Sequence, residues 1–214
     1  MTQTVYNFLT VDEINFLLSY YDNKPYTSEK TTEYQGHNIV KNRHKDSDYN
    51  LVDGPIYQLL HPKLEKLLGS HILDSGAVLE SHYPYQPHID SRKRFTDKFY
   101  QHNTDEKCVD TAVLISLNED PSFKTIIFDY FSKSLDLTQV PELKNNNITA
   151  SSVKDNIDLT HFTDQELKFV DNLKISNVYN WKVGGLVTWN RNQLHCSSNF
   201  YSSGLQKKAL VFFF

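Results

Sequence analysis

His88 and Asp90 are separated by a single residue, and in an extended chain residues i and i+2 project to the same side. In the stretch VLESHYPYQPHIDSRKRF, residues 78 to 95, this aims an imidazole nitrogen and a carboxylate oxygen at one point while Ile89 faces away. Two donors do not complete a metal site. A third must come from a distant segment, and His195, which ends the run WKVGGLVTWNRNQLH, is the strongest candidate. Two imidazoles and a carboxylate on one face of an octahedral ion leave the opposite positions open, an arrangement that suits non-heme Fe(II) oxygen chemistry. Zinc uses the same donor types with a water, so the ligands alone leave the ion open.

Other constellations are weaker. His102, Asp105 and Cys108 have a metal-like composition, but Asn103, Thr104 and Glu106 between them read more simply as a polar loop leading into a strand. In an extended chain Cys196 points away from the side chain of His195, and no adjacent base activates it, so it reads as a spectator. His82 shares strand parity with Glu80 and fits a supporting hydrogen-bonding role. Tyr83, Tyr85 and Trp189 lie close to the motifs, although aromatic residues beside strands are more often packing groups. Arg92 and Arg94 either meet an anionic substrate or form a solvated loop.

Positioning such a site requires strands that converge. Thr10-Val-Asp-Glu13 has the form of a capping box, and Ile14, Leu17, Leu18 and Tyr21 recur on one face, predicting a helix over about 11–21. A second helical pattern opens at Pro55 and carries Ile56, Leu59 and Leu60. Pro62 is expected to interrupt it before Leu64, Leu67 and Leu68, and Gly69 offers a stop. From residue 77 the period falls to two, and Pro84 ends the strand. Further strands are expected at 111–117, 125–131, 186–189 and 209–214, with a short helix beginning after Phe162. Helices first and strands afterwards suit an antiparallel barrel or sandwich braced by amino-terminal helices.

The bulk composition sets limits on partners. A chain of 214 residues, 39% of them hydrophobic, is enough for one core and requires no second domain. With 22 basic and 26 acidic residues the net charge is −4, and no basic stripe implies nucleic acid as a partner. Two cysteines are too few for a disulfide framework, which favours a reduced, cytoplasmic setting. No apolar run approaches the ~20 residues needed to cross a bilayer, and the first residues lack a signal pattern, so a soluble protein is expected, its oligomeric state open.

His88-Ile-Asp90, Gly184-Gly-Leu-Val-Thr-Trp189 and Leu194-His195-Cys-Ser-Ser-Asn-Phe200, followed by Lys207-Lys208, resemble the metal and cosubstrate motifs of the 2-oxoglutarate and Fe(II)-dependent oxygenases, especially the prolyl 4-hydroxylase-like group. The resemblance implies a mainly β fold with supporting α-helices: a double-stranded β-helix, the distorted, cupin-like jelly roll. It makes 1–214 one domain, with supporting helices in 1–70 and the core in 77–214. It implies Fe(II) held by His88, Asp90 and His195, with 2-oxoglutarate completing the coordination. Dioxygen and a peptide or small molecule would be the other reactants, and succinate and carbon dioxide the co-products of hydroxylation at an unactivated C–H bond.

In that family a basic residue after the distal histidine receives the far carboxylate of 2-oxoglutarate. Here Lys208 is favoured, because Leu210 and Phe212 share its parity and would fill the barrel interior; Lys207 is the alternative. Lysine offers a point charge where arginine would offer a planar fork. A cupin-like metalloenzyme that does not use 2-oxoglutarate, or a non-catalytic jelly-roll binding module, fits the same triad residues, and only the leading reading requires one of these lysines to bind a dicarboxylate. The loops at 22–52, 91–107 and 132–160 are the expected selectors of the substrate.

Overall fold

The two amino-terminal helices form for local reasons that the chain displays openly. Thr10 caps α1 (Val11–Asn23), accepting from the Glu13 amide while the Glu13 carboxylate accepts from the Thr10 amide. Pro55 opens α2 (Pro55–Leu68), and Gly69 closes it with φ 80°, donating its amide to the Glu65 carbonyl. Pro62 does not break this helix, contrary to the expected interruption. A proline forfeits one backbone bond and crowds the preceding turn. Ile56, Leu60 and Leu64, all buried on one face, hold the helix against the sheet through that defect. The computed structural model describes residues 2–47, 54–70, 73, 75–85, 88–90, 111–131, 174–198 and 200–214. Arg92, Arg94, the His102, Asp105 and Cys108 group and the helix expected after Phe162 lie outside them.

Ten strands are found among the described residues: β1 (Gln3–Val5), β2 (Ser28–Tyr34), β3 (His37–Ser47), β4 (Ser75–Ser81), β5 (Thr111–Ser116), β6 (Lys124–Phe131), β7 (Ile175–Asn180), β8 (Leu186–Asn190), β9 (Gln193–Ser197) and β10 (Lys207–Phe213). They form an antiparallel sheet in the order β1-β8-β5-β10-β4-β3-β2 and a smaller one in the order β7-β6-β9. An isolated bridge between His88 and His195 adds the 88–90 segment to the free edge of β9. This is the distorted jelly roll of the double-stranded β-helix, with supporting helices. No helix among the described residues is long and apolar enough to cross a membrane.

Residues 28–47, expected as a loop, form a hairpin on the edge of the main sheet. Gln35 and Gly36 both take positive φ, 49° and 79°, as a two-residue hairpin turn requires. The polar composition of SEKTTEY hides the strand, since it lies at the sheet edge. Strands β1, β7 and β9 were likewise not expected from pattern alone.

Both faces of the main sheet are covered. One packs Val78, Val113, Ile115, Leu186, Leu210 and Phe212 against Leu17 and Tyr21 of α1 and Ile56, Leu60 and Leu64 of α2. The other turns Ala112, Leu114, Val187, Trp189, Ala209 and Val211 towards Ile127 and Tyr179 of the small sheet. Gly184, at φ 71°, turns the chain into β8 beside α1, where an added Cβ would stand 2.7 Å from Ile14 Cδ1.

Candidate metal centre

Tyr85 and the 88–90 segment lie along β9, the latter antiparallel to it. His88 exchanges both backbone hydrogen bonds with His195, at 2.9 and 3.0 Å, and the Ser197 amide donates to the Tyr85 carbonyl. Asp90 is fixed in turn by its amide, which donates to the Arg191 carbonyl at 2.9 Å. Direct opposition in a ladder puts two side chains on one face, and the i+2 spacing adds the third. His88, Asp90 and His195 therefore converge: one donor atom from each lies within 4.8 Å of the others. The two imidazole rings are 4.2 Å apart by centroid, and His195 Nε2 stands 3.6 Å from Asp90 Oδ2. Adjacent ligands of an octahedral ion stand about 3 Å apart, so the spacing suits a single ion.

The surroundings set the donors' orientation. His195 is buried, with Nδ1 3.0 Å from the Gln193 carbonyl. A carbonyl only accepts, so Nδ1 carries a proton, which leaves Nε2, on the Asp90 side, as the ring atom available to a metal. Trp189 of β8 donates its indole N–H to Asp90 Oδ2 at 2.9 Å, and its ring lies 4.7 Å from that of His195. The Tyr85 ring lies tilted 5.5 Å from that of His88, its hydroxyl is hydrogen-bonded to Asn42, and burial raises its pKa.

These groups line a cavity of about 180 Å³ between the sheets, with Leu79, Ser81, Thr125, Trp181, Cys196 and Lys207 among its walls. Lys207 is 2% exposed and donates to the Lys124 carbonyl at 2.7 Å. Its ammonium stands 4.8 Å from the ring centroids of Trp181 and Phe200 and 5.8 Å from that of Phe123. Burial lowers its pKa to about 7, against a smaller opposing influence from Cys196.

Lys208, expected to face inward, lies on the opposite side of β10, with its ammonium 4.8 Å over the ring of Tyr21 of α1. Leu210 and Phe212 share the parity of Lys208, but they fill the space under the helices rather than between the sheets. The enclosure around Lys207 was not legible locally, because Phe123, Trp181 and Phe200 come from separate segments. Cys196 also lines the cavity, although extended geometry would turn it from His195. Glu80 and His82 do pair, at 2.5 Å, but on the helix face with Tyr21 and Tyr26, away from the three donors.

No protein-family model and no curated relative matches this chain. Solved structures do, over 99% of its length. SnoN, a non-heme alpha ketoglutarate dependent epimerase from nogalamycin biosynthesis, aligns with a TM-score of 0.56 at 12% identity over 76% of its own chain. HygX from Streptomyces hygroscopicus, with nickel and 2-oxoglutarate bound, aligns with a TM-score of 0.56 at 12% identity over 81% of its own chain. For SnoK, a carbocyclase of nogalamycin biosynthesis, the values are 0.54, 12% and 78%. At these identities the likeness establishes the fold.

Proposed function

We propose that this chain is an Fe(II)- and 2-oxoglutarate-dependent oxygenase that hydroxylates an unactivated C–H bond, with succinate and carbon dioxide as co-products. The observation that carries the reading is that two imidazoles, a carboxylate and one deeply buried lysine line the same cavity. His88, Asp90 and His195 would hold the iron. Lys207, rather than Lys208, receives the far carboxylate of 2-oxoglutarate, because only Lys207 lines the cavity of the triad. Bound iron and cosubstrate supply dioxygen reduction coupled to decarboxylation and C–H oxidation.

The chain's own residues bind, orient and exclude water. Lys207 exchanges a carbonyl contact for a charge-assisted bond to the entering carboxylate, and the rings of Phe123, Trp181 and Phe200 keep solvent from that pair. Tyr85 forms the wall beside His88. The motifs resemble those of the prolyl 4-hydroxylases, which supports a peptidyl substrate, whereas SnoN comes from nogalamycin biosynthesis and HygX has been solved with hygromycin B, which supports a small molecule. A soluble, cytoplasmic setting accords with the low cysteine content.

Anaerobic addition of Fe(II) and 2-oxoglutarate to metal-free protein tests the reading. A visible metal-to-ligand charge-transfer band is expected with both and with neither alone. Folded protein that shows no band with both overturns it, and Fe(II) binding without 2-oxoglutarate binding favours a metalloenzyme of another kind.

A further inference from the structure

Trp189 occupies a position that simple packing does not account for. It is 3% exposed and sits on β8, its backbone in register with Ala112 on the neighbouring β5. A buried indole N–H requires an acceptor, and a neutral carbonyl or hydroxyl would suffice. Trp181, the other tryptophan of the chain, takes that ordinary solution and donates to Thr125 Oγ1 at 2.9 Å. Trp189 donates instead to the carboxylate of Asp90, at the same distance, and lays its ring against His195. One side chain thus meets two of the three clustered donors, by its polar edge and by its face.

We infer that Trp189 is a positioning residue of the metal centre, whose indole N–H fixes the orientation of the Asp90 carboxylate; the inference rests on the metal site proposed above. The physical reason is coordination number. A carboxylate free to rotate can chelate with both oxygens and take up a position that the cosubstrate or dioxygen needs. The N–H on Oδ2, the oxygen that stands 3.6 Å from His195 Nε2, sets the plane of the carboxylate and limits that rotation. The β8 backbone supplies the rigidity, because Trp189 lies within a paired strand rather than in a loop. Groups that orient metal ligands in this way are worth roughly 10- to 100-fold in metal affinity.

The presence of two tryptophans makes the test direct. Protein labelled with ¹⁵N at its indoles is titrated with Zn(II), which is diamagnetic and redox-inert. The resonances are assigned with Trp189→Phe or, if that variant fails to fold, with Trp181→Phe alone. The Trp189 resonance is expected to shift on metal binding while that of Trp181 stays in place. Trp189→Phe is expected to weaken Zn(II) about tenfold by calorimetry, whereas Lys208→Ala, on the helix face of β10, changes it less than twofold. With Co(II), the altered carboxylate should change the intensity of the visible absorption in Trp189→Phe. Wild-type protein that binds neither ion overturns the metal site itself. Wild-type protein that binds Zn(II) with the Trp189 resonance unmoved, or a folded Trp189→Phe with unchanged affinity, overturns the positioning role and leaves the metal site standing.

Discussion

Lys207 and Lys208 are adjacent on β10 and carry the same side chain, yet the sheet sends them into opposite chemical settings. Each belongs to a row that crosses three strands. Asn42, Ser81 and Lys207 are in register on the cavity face, and Arg43, Glu80 and Lys208 are in register on the helix face. The helix-face row brings its own counter-charge: Glu80 accepts from Tyr21 at 2.7 Å and Tyr26 at 2.9 Å and contacts His82. Burial alone would raise the Glu80 pKa, but these hydrogen bonds outweigh it and hold the carboxyl below its usual range. The cavity-face row has no carboxylate among its members, and Lys207 is met by ring faces and a carbonyl. The helix-face row thus carries its own carboxylate, whereas no carboxylate among the described residues pairs with Lys207, which accords with the proposed role of Lys207 in receiving an anion.

Exchanging the two lysines separately is the strongest way to break this comparison. Lys207→Ala should weaken the apparent affinity for 2-oxoglutarate by at least about 100-fold, the scale of losing a buried charge-assisted partner, while iron still binds. Lys208→Ala should change it less than about threefold. The reverse order, measured by titrating cosubstrate into iron-loaded protein, would dissolve the distinction.

Glu80→Gln probes the other face. It should destabilise the protein by about 1–3 kcal/mol in urea unfolding near neutral pH, since charge-assisted bonds become neutral ones in a buried site. Because the folded pKa lies below the unfolded value, the contribution is present above the unfolded pKa and disappears as pH falls through the folded one. Wild type and variant should therefore converge in acid. Unchanged cosubstrate affinity in Glu80→Gln would sharpen the separation of the two faces.

The smallest expected effect is a pH dependence confined to the cavity face. With its pKa lowered to about 7, Lys207 is increasingly neutral in the empty protein above that pH, and an entering dicarboxylate must draw a proton to restore the ammonium. Apparent 2-oxoglutarate affinity should fall about fivefold from pH 7 to pH 8. Linkage gives the matching sign for metal-free stability. The unfolded lysine holds its proton to higher pH, so this group makes the fold more stable as pH rises from about 7 towards the ordinary lysine value. Lys207→Arg, which does not deprotonate, should flatten both profiles, and a persistent slope in that variant would assign the titration elsewhere.

Much of the fold was legible because it rests on local signals. The capping box of Thr10 and Glu13, the apolar faces of both helices and the strands at 75–81, 111–116, 124–131 and 186–190 follow from periodicity and end signals. The hairpin at 28–47 was not, because an edge strand without a deeply apolar face shows little alternation to read. Pro62 misled in the opposite sense: the local preference to break was overridden by the burial of Ile56, Leu60 and Leu64.

The same division runs through the site. Sequence by itself determined that His88 and Asp90 share a face, because the two-residue period of extended backbone is a local property, and it marked His195 as the partner to look for. Only the tertiary structure decided which donors meet, since the opposition of His88 and His195 is a pairing across more than a hundred residues. It also placed the lysines, Lys207 in the wall of the cavity and Lys208 over Tyr21 on the helix face. Strand parity separates Lys207 from Lys208 but does not say which side holds the cavity, and here both sides of β10 are buried, one under helices and one under the second sheet.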